Sequence, residues 1–194
     1  MNITSLLILA VNCILVENIV LVRLLGVSPF VEVSKNKATI VGVGVSVSVV
    51  MLISTLFSWC INQFVFKPFH LEYLQIVVFV LMLVLLVQAI EILLKKFVPV
   101  LYKLFGSYLP LMVMNCAVLG VVLGNVRNEY GLLESLVASV ASAVGFVLVY
   151  WMFSCIRERL VYCVVPKSFE GLPITLITMG LLSLAFLGFS GMGL

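Results

Sequence analysis

An all-α integral membrane protein is the fold class this sequence predicts, and three observations predict it. Of the 194 residues, 64% are apolar and only 10% charged. The mean hydropathy is +1.33. The charges stand in short clusters between long apolar runs. A soluble domain of this length needs far more charge to cover its surface. A bilayer demands the reverse, because about 20 apolar helical residues cross its ~30 Å hydrocarbon core. The runs are continuous rather than alternating, so they read as helices and not as barrel strands.

Six transmembrane helices fit between the charges. The first covers Ile3 to about Leu25 and is interrupted by Asn12, Glu17, Asn18 and Arg23. The second runs from Ala38 to about Asn62 and the third from Leu74 to Ile90. The fourth lies between Lys103 and Arg127, the fifth between Glu134 and Arg157, and the sixth fills Gly171 to Leu194. The first span has no basic segment ahead of it and carries both Glu17 and Arg23, so it reads as a retained helix rather than a signal peptide.

Cutting the single transmembrane domain near Phe97 leaves two halves, 1–97 and 98–194, of three spans each. Three is odd, so the second half enters the membrane from the other side, the arrangement of an inverted-topology repeat. Gly26-Val27-Ser28-Pro29 follows the first span, and Gly106, Pro110, Gly120 and Gly124 punctuate the fourth. Gly and Pro at these corresponding places predict that the first helix of each half is broken.

Several function classes drop out. The net charge of +3 forms no basic stripe, which excludes a nucleic-acid binder. Gly42-Val43-Gly44 does not continue as a dinucleotide fingerprint and sits in a membrane helix, so no NAD or flavin site is expected. The longest connection, around Arg157 to Glu170, is too short for a catalytic domain. Five cysteines (13, 60, 116, 155 and 163) are odd in number and scattered, which argues for thiols or ligands rather than disulfides.

Four features carry chemistry or packing. Glu17 lies deep in the first span with Asn18 beside it and Cys13 one turn earlier. A carboxylate there must be protonated, paired or facing a polar cavity, and it reads either as part of an ion path or as a structural hydrogen-bonding group. Cys116, next to Asn115 in the fourth span, reads either as a small apolar filler or as a thiolate ligand for iron. Gly120-x-x-x-Gly124 and the row Ser135, Ser139, Ala143 read as close-packing faces. His70, the single histidine, reads as a solvated loop residue. These residues alone leave three function classes open: a redox subunit, a secondary transporter binding solute and ion at the midplane between inverted repeats, and a purely structural membrane scaffold.

Taken in order, the motifs resemble a known family. They are Glu17-Asn18-Ile19-Val20-Leu21-Val22, Leu25-Gly26-Val27-Ser28-Pro29-Phe30, Pro99-Val100-Leu101-Tyr102, Leu109-Pro110-Leu111, Asn115-Cys116-Ala117-Val118-Leu119-Gly120, Ile156-Arg157-Glu158-Arg159 and Gly188-Phe189-Ser190-Gly191. The chain is similar along its whole length to the A-subunit family of the Rnf ion-translocating oxidoreductase complex, whose near relative is the E-subunit of the sodium-translocating NADH:quinone reductase. The resemblance implies a non-autonomous component in the bacterial inner membrane. Such a component helps couple electron transfer on the NADH or ferredoxin side to Na⁺ or H⁺ translocation. It also implies partners: a homologous sister subunit, further flavin and iron–sulfur carriers of the complex, and membrane lipid. A two-iron, two-sulfur cluster shared with the sister subunit is implied as cofactor. One family cysteine matches Cys116; the other falls at Ser28, where a hydroxyl replaces the soft thiolate that iron–sulfur clusters prefer.

Orientation follows from basic residues. Nine of the eleven Lys and Arg (23, 35, 37, 95, 96, 103, 157, 159 and 167) flank the first, third and fifth connections; only Lys67 and Arg127 flank the others. Connections one, three and five are therefore expected in the cytoplasm, with both termini on the outer face. Cysteines introduced at Asn36 and Ser168 should be protected from an impermeant maleimide added outside intact cells. Labelling from outside would reverse the orientation.

Overall fold

The structure, a computed structural model, describes residues 3–27, 37–66, 75–97, 115–160, 162, 163, 166, 169 and 171–190. Ser28, His70, Pro110, Lys35 and Lys167, singled out above, lie outside the described residues. The described residues form only helices and their connections: α1 (Ile3–Val11), α2 (Lys37–Ile61), α3 (Gln75–Phe97), α4 (Cys116–Arg127), α5 (Leu132–Leu160) and α6 (Leu172–Ser190). α1 continues as a π-turn over Asn12–Val16, and α2 as another over Asn62–Phe66. Three of the helices are long and apolar enough to cross a membrane, the segments being Val43–Phe64, Gln75–Ile92 and Leu132–Leu160; Thr4–Val16, Cys116–Arg127 and Leu172–Gly188 are apolar but shorter.

The first span is not one helix. After Val16 the backbone leaves helical geometry and stays irregular through residue 27. Asn18 causes the departure by taking over backbone partners. Its Nδ2 donates to the Ile14 carbonyl at 2.8 Å, and its Oδ1 accepts from the Val20 N–H at 3.0 Å. Leu24 and Gly26 then adopt φ of +52° and +84°. At Gly26 this left-handed turn carries no Cβ penalty. Irregular backbone at membrane depth is tolerated where protein covers it, and Asn18 to Leu21 and Gly26 are all buried.

The centre of the bundle is the packing of α2 on α5, the most extensive contact between helices. Gly44 meets Val147 while Thr55 meets Ser139, so the two run antiparallel. Lys37 therefore lies at the same end as Arg157 and Arg159, and the opposite end carries the α4–α5 connection. Val43, Val47, Val50 and Met51 of α2 form one core with Phe146, Val149, Tyr150 and Phe153 of α5. Ala117, Val118 and Val121 of α4, Met179 and Leu182 of α6, and Ile19 to Leu21 of the break complete it. Phe146 and Tyr150 stack with centroids 5.9 Å apart. Outward residues are apolar too: Ile76, Val77, Leu81, Leu85 and Ile92 on α3, and Val140, Val144 and Trp151 on α5 are exposed. In a bilayer such a surface faces lipid tails.

Two glycines let the broken segment seat. A Cβ at Gly145 of α5 would stand 2.8 Å from Asn18 Nδ2 and 3.2 Å from the Ile14 carbonyl oxygen. A Cβ at Gly120 would stand 2.6 Å from Leu25 Cδ1, the tip of a flexible side chain. The expected Gly120/Gly124 packing face is thus half used, because nothing lies within 4 Å of a Cβ at Gly124. Gly145→Ala should cost about 1–3 kcal/mol through overpacking, read as a lowered thermal unfolding midpoint in detergent. Gly124→Ala should leave the midpoint unchanged or raise it. Equal midpoints for Gly145→Ala and wild type would show that the break is not tightly seated.

Candidate functional site

α4 begins inside the bundle. Asn115 is its N-cap: in extended backbone geometry, it accepts the Ala117 N–H on Oδ1 at 3.0 Å. This satisfies one of the donors that every helix start leaves open. Asn115 is 3% exposed, and its Nδ2 has no hydrogen-bond partner among the described residues. α4 rises about 18 Å over its twelve residues. Its first residue, Cys116, therefore sits well below the connection that follows Arg127. Cys116 is exposed on the surface of the chain, so it is not the buried filler that a lone membrane cysteine suggests.

The break in the first span runs against this helix start. A Cβ at Gly26 would stand 2.9 Å from Ala117 Cβ, 3.0 Å from Asn115 Oδ1 and 3.1 Å from Phe146 Cε2. The chain two residues ahead of Ser28 therefore touches both neighbours of Cys116. An unbroken first helix would have carried it to the edge of the membrane. Among the described residues no three His, Cys, Asp or Glu side chains gather closely enough to hold a metal ion.

Glu17 is exposed where the π-turn ends, not enclosed among apolar side chains. Its N–H donates to the Asn12 carbonyl at 2.7 Å. Cys13, one turn earlier, is half-buried against α5. Asn18 and Asn115 are partners of a different kind. They stand 97 residues apart, half the chain length. Both are buried, and each accepts on Oδ1 from the N–H two residues ahead.

A second polar locus takes in Ser135 and Ser139 of the small-residue row together with groups that the sequence did not single out. Between α2, α4 and α5 a cleft is lined by Thr55, Ser58, Trp59, Asn62, Val122, Asn125, Val126, Tyr130 and Ser135. Thr55 Oγ1 and Ser139 Oγ lie 2.6 Å apart. Asn125 Nδ2 donates to Ser139 Oγ at 3.2 Å and more weakly to the Ser135 carbonyl. Ser135 and Ser139, expected to serve only close packing, are here hydrogen-bonding groups as well. Burial holds the Tyr130 phenol above its ordinary value, and the ionised forms of Cys13, Glu17 and Glu134 push the same way against a hydrogen bond from Asn128. Tyr130 therefore stays a neutral hydroxyl at physiological pH.

Apolar helices with a buried interruption, a buried helix start carrying an exposed thiol, and an interior polar cleft define a polytopic membrane protein whose helices end inside the bundle. Residues 6–193 match the model of the Rnf-Nqr subunit membrane protein family, and the chain belongs to that family. It is 46% identical over 190 residues to a protein of Acetobacterium woodii named as the A-subunit of a Na⁺-translocating ferredoxin:NAD⁺ oxidoreductase complex, covering 98% of this chain and 99% of that one. Proteins named as the A-subunit of an ion-translocating oxidoreductase complex, from Syntrophotalea carbinolica and Edwardsiella ictaluri, are 44% and 46% identical. The first of these covers 97% of each chain; the second covers 97% of this chain and 98% of its own.

The cap at α4 has a direct test. Asn115→Ala should cost about 0.5–2 kcal/mol of stability, whereas Asn115→Ser keeps a capping oxygen and should lose less. Thermal unfolding in detergent ranks the three proteins. Equal losses for Ala and Ser would show that the cap contributes nothing.

Proposed function

We propose that this chain is a membrane subunit of an ion-translocating oxidoreductase complex, helping electrons pass through the bilayer between partner carriers while Na⁺ or H⁺ moves across it. The observation that carries the reading is the exposed Cys116 thiol at a buried helix start, packed against the broken segment that leads to Ser28. Full-length similarity to relatives named for such complexes supports it. The subunit has no active site of its own and works in the bacterial inner membrane, with both termini outward and the nine basic residues inward.

The residues present fit a shared iron–sulfur centre as one half of a site. Cys116 offers a thiolate on an exposed face that a homologous subunit can reach. The positive end of the α4 dipole favours the negative charge of a thiolate-ligated cluster. Asn115 fixes where that helix begins. Ser28 is the second position on this chain and offers oxygen in place of sulfur. A bound two-iron, two-sulfur group would supply one-electron transfer; this chain's part is to hold the thiol at membrane depth and exclude water around it with Ala117, Phe146 and Gly26. The matched Asn18 and Asn115 support reading 1–97 and 98–194 as inverted three-helix repeats with interrupted first helices. Glu17, exposed at the break, belongs to the ion path in this reading.

The experiment is iron content and paramagnetic resonance of the purified complex for wild type, Cys116→Ala and Ser28→Cys. Cys116→Ala should lose the membrane-centre signal, and Ser28→Cys should strengthen it, since four thiolates hold a cluster more tightly than three. A wild-type signal that survives Cys116→Ala intact removes the site.

A further inference from the structure

We infer that the cleft between α2, α4 and α5 is a binding site for a small, dehydrated monovalent cation of about the size of Na⁺, held by Thr55, Ser58 and Asn125. The inference deepens the ion-translocation reading above and rests on it for its physiological meaning, though its geometry stands apart from Cys116.

Size and donor chemistry select the ligand. The cleft has room for little more than one water-sized occupant, far below the roughly 300–1,000 Å³ of pockets that take organic molecules. Its lining carries hydroxyl and amide groups and the Trp59 indole, with no carboxylate among the lining residues. Divalent cations recruit carboxylates, whereas cages of neutral oxygen dipoles hold monovalent ions inside membranes.

The hydrogen-bond inventory leaves oxygen lone pairs over. Thr55 and Ser139 have one hydroxyl proton each. Three contacts compete for those two protons: Thr55 to the Met51 carbonyl at 2.9 Å, Ser139 to the Ser135 carbonyl at 2.8 Å, and the contact between the hydroxyls themselves. Asn125 spends its amide nitrogen on Ser139 and Ser135, and its Oδ1 is a pure acceptor. Ser58 is 2% exposed, lines the cleft, and its Oγ has no partner among the described residues. A buried hydroxyl without a partner is unfavourable, a cost that a bound cation removes.

The field points the same way. α4 ends at Arg127, just past the lining residues Asn125 and Val126, so the negative end of its dipole lies at the cleft. α5 starts at this end too, but Glu134 covers its positive terminus by accepting the Gly131 N–H on Oε2 at 2.9 Å. Arg127 is exposed and is not among the lining residues.

Ser58→Ala is the discriminating variant, because Ser58 Oγ makes no hydrogen bond among the described residues that the fold would miss. Ser54→Ala is its control: Ser54 Oγ is equally buried and without a partner among the described residues, but does not line the cleft. Equilibrium binding of ²²Na⁺ to the purified complex, at constant ionic strength with N-methylglucamine as replacement, reads the site. Ser58→Ala and Thr55→Val should weaken one Na⁺ site about tenfold or more, the loss expected for one oxygen bonded to a charge. Ser54→Ala should match wild type, and Thr55→Ser, which keeps the hydroxyl, should weaken binding less than Thr55→Val. Absence of saturable Na⁺ binding in wild type, which would leave water as the occupant, overturns the site, as do identical isotherms for wild type, Ser58→Ala and Thr55→Val. The iron signal of the same preparations separates the two readings. Its retention in Ser58→Ala with Na⁺ binding lost supports the cation site, whereas its insensitivity to Cys116→Ala would remove the redox reading and leave the Na⁺ result standing.

Discussion

In hydrocarbon, a backbone amide or carbonyl without a partner costs several kcal/mol, and this chain runs residues 17–27 outside any helix. The rest of the fold is arranged around meeting that demand. Asn18 bonds on both sides of the interruption. The Val22 and Leu25 N–H groups return to the Asn18 and Ile19 carbonyls. Ser183 of α6 donates its hydroxyl to the Leu21 carbonyl. Gly145 removes the one side chain that would keep α5 from closing over Asn18.

That arrangement explains why polar groups cluster in so apolar a chain. A continuous helix satisfies itself and needs no Asn, whereas an interrupted one must import donors and acceptors from elsewhere. Asn18 does this at the break and Asn115 at the start of α4, and each accepts the same bond from the residue two ahead. The Thr55, Ser139 and Asn125 group lies apart from both. It joins helices that are already intact at that level, so backbone need does not account for it. Its orphaned neighbour, Ser58, is a cost with no structural return among the described residues.

Much of the architecture is legible in the sequence because bilayer thickness sets segment length. The spans drawn at Ala38, Leu74, Glu134 and Gly171 correspond to helices starting at Lys37, Gln75, Leu132 and Leu172. Glu17-Asn18 and Gly26 signal the break but not its position, since apolar residues continue through Ile19 to Val22 on both sides of it. Asn115 has the signature of an N-cap, hidden because the apolar run carries on ahead of it. The contact of Gly26 with Ala117 and Phe146 depends on residues far along the chain and leaves no local trace. The cleft does leave one. Thr55, Ser58 and Asn62 recur at helical spacing on α2, as do Ser135, Ser139 and Ser142 on α5, but small size alone is enough to explain serines in a membrane helix.

The bond from Ser183 to the Leu21 carbonyl spans 162 residues, and this has a consequence for biosynthesis. Ribosomes add about 5–20 residues per second, so Leu21 enters the membrane roughly ten to thirty seconds before its partner has been made. During that interval the carbonyl must be kept wet, or shielded by the insertion machinery or by another membrane protein. The N-terminal segment is therefore among the first parts inserted and among the last to reach its final place. A ribosome stalled before α6 leaves a nascent chain whose opening helices are in the bilayer with their interruption still unsealed.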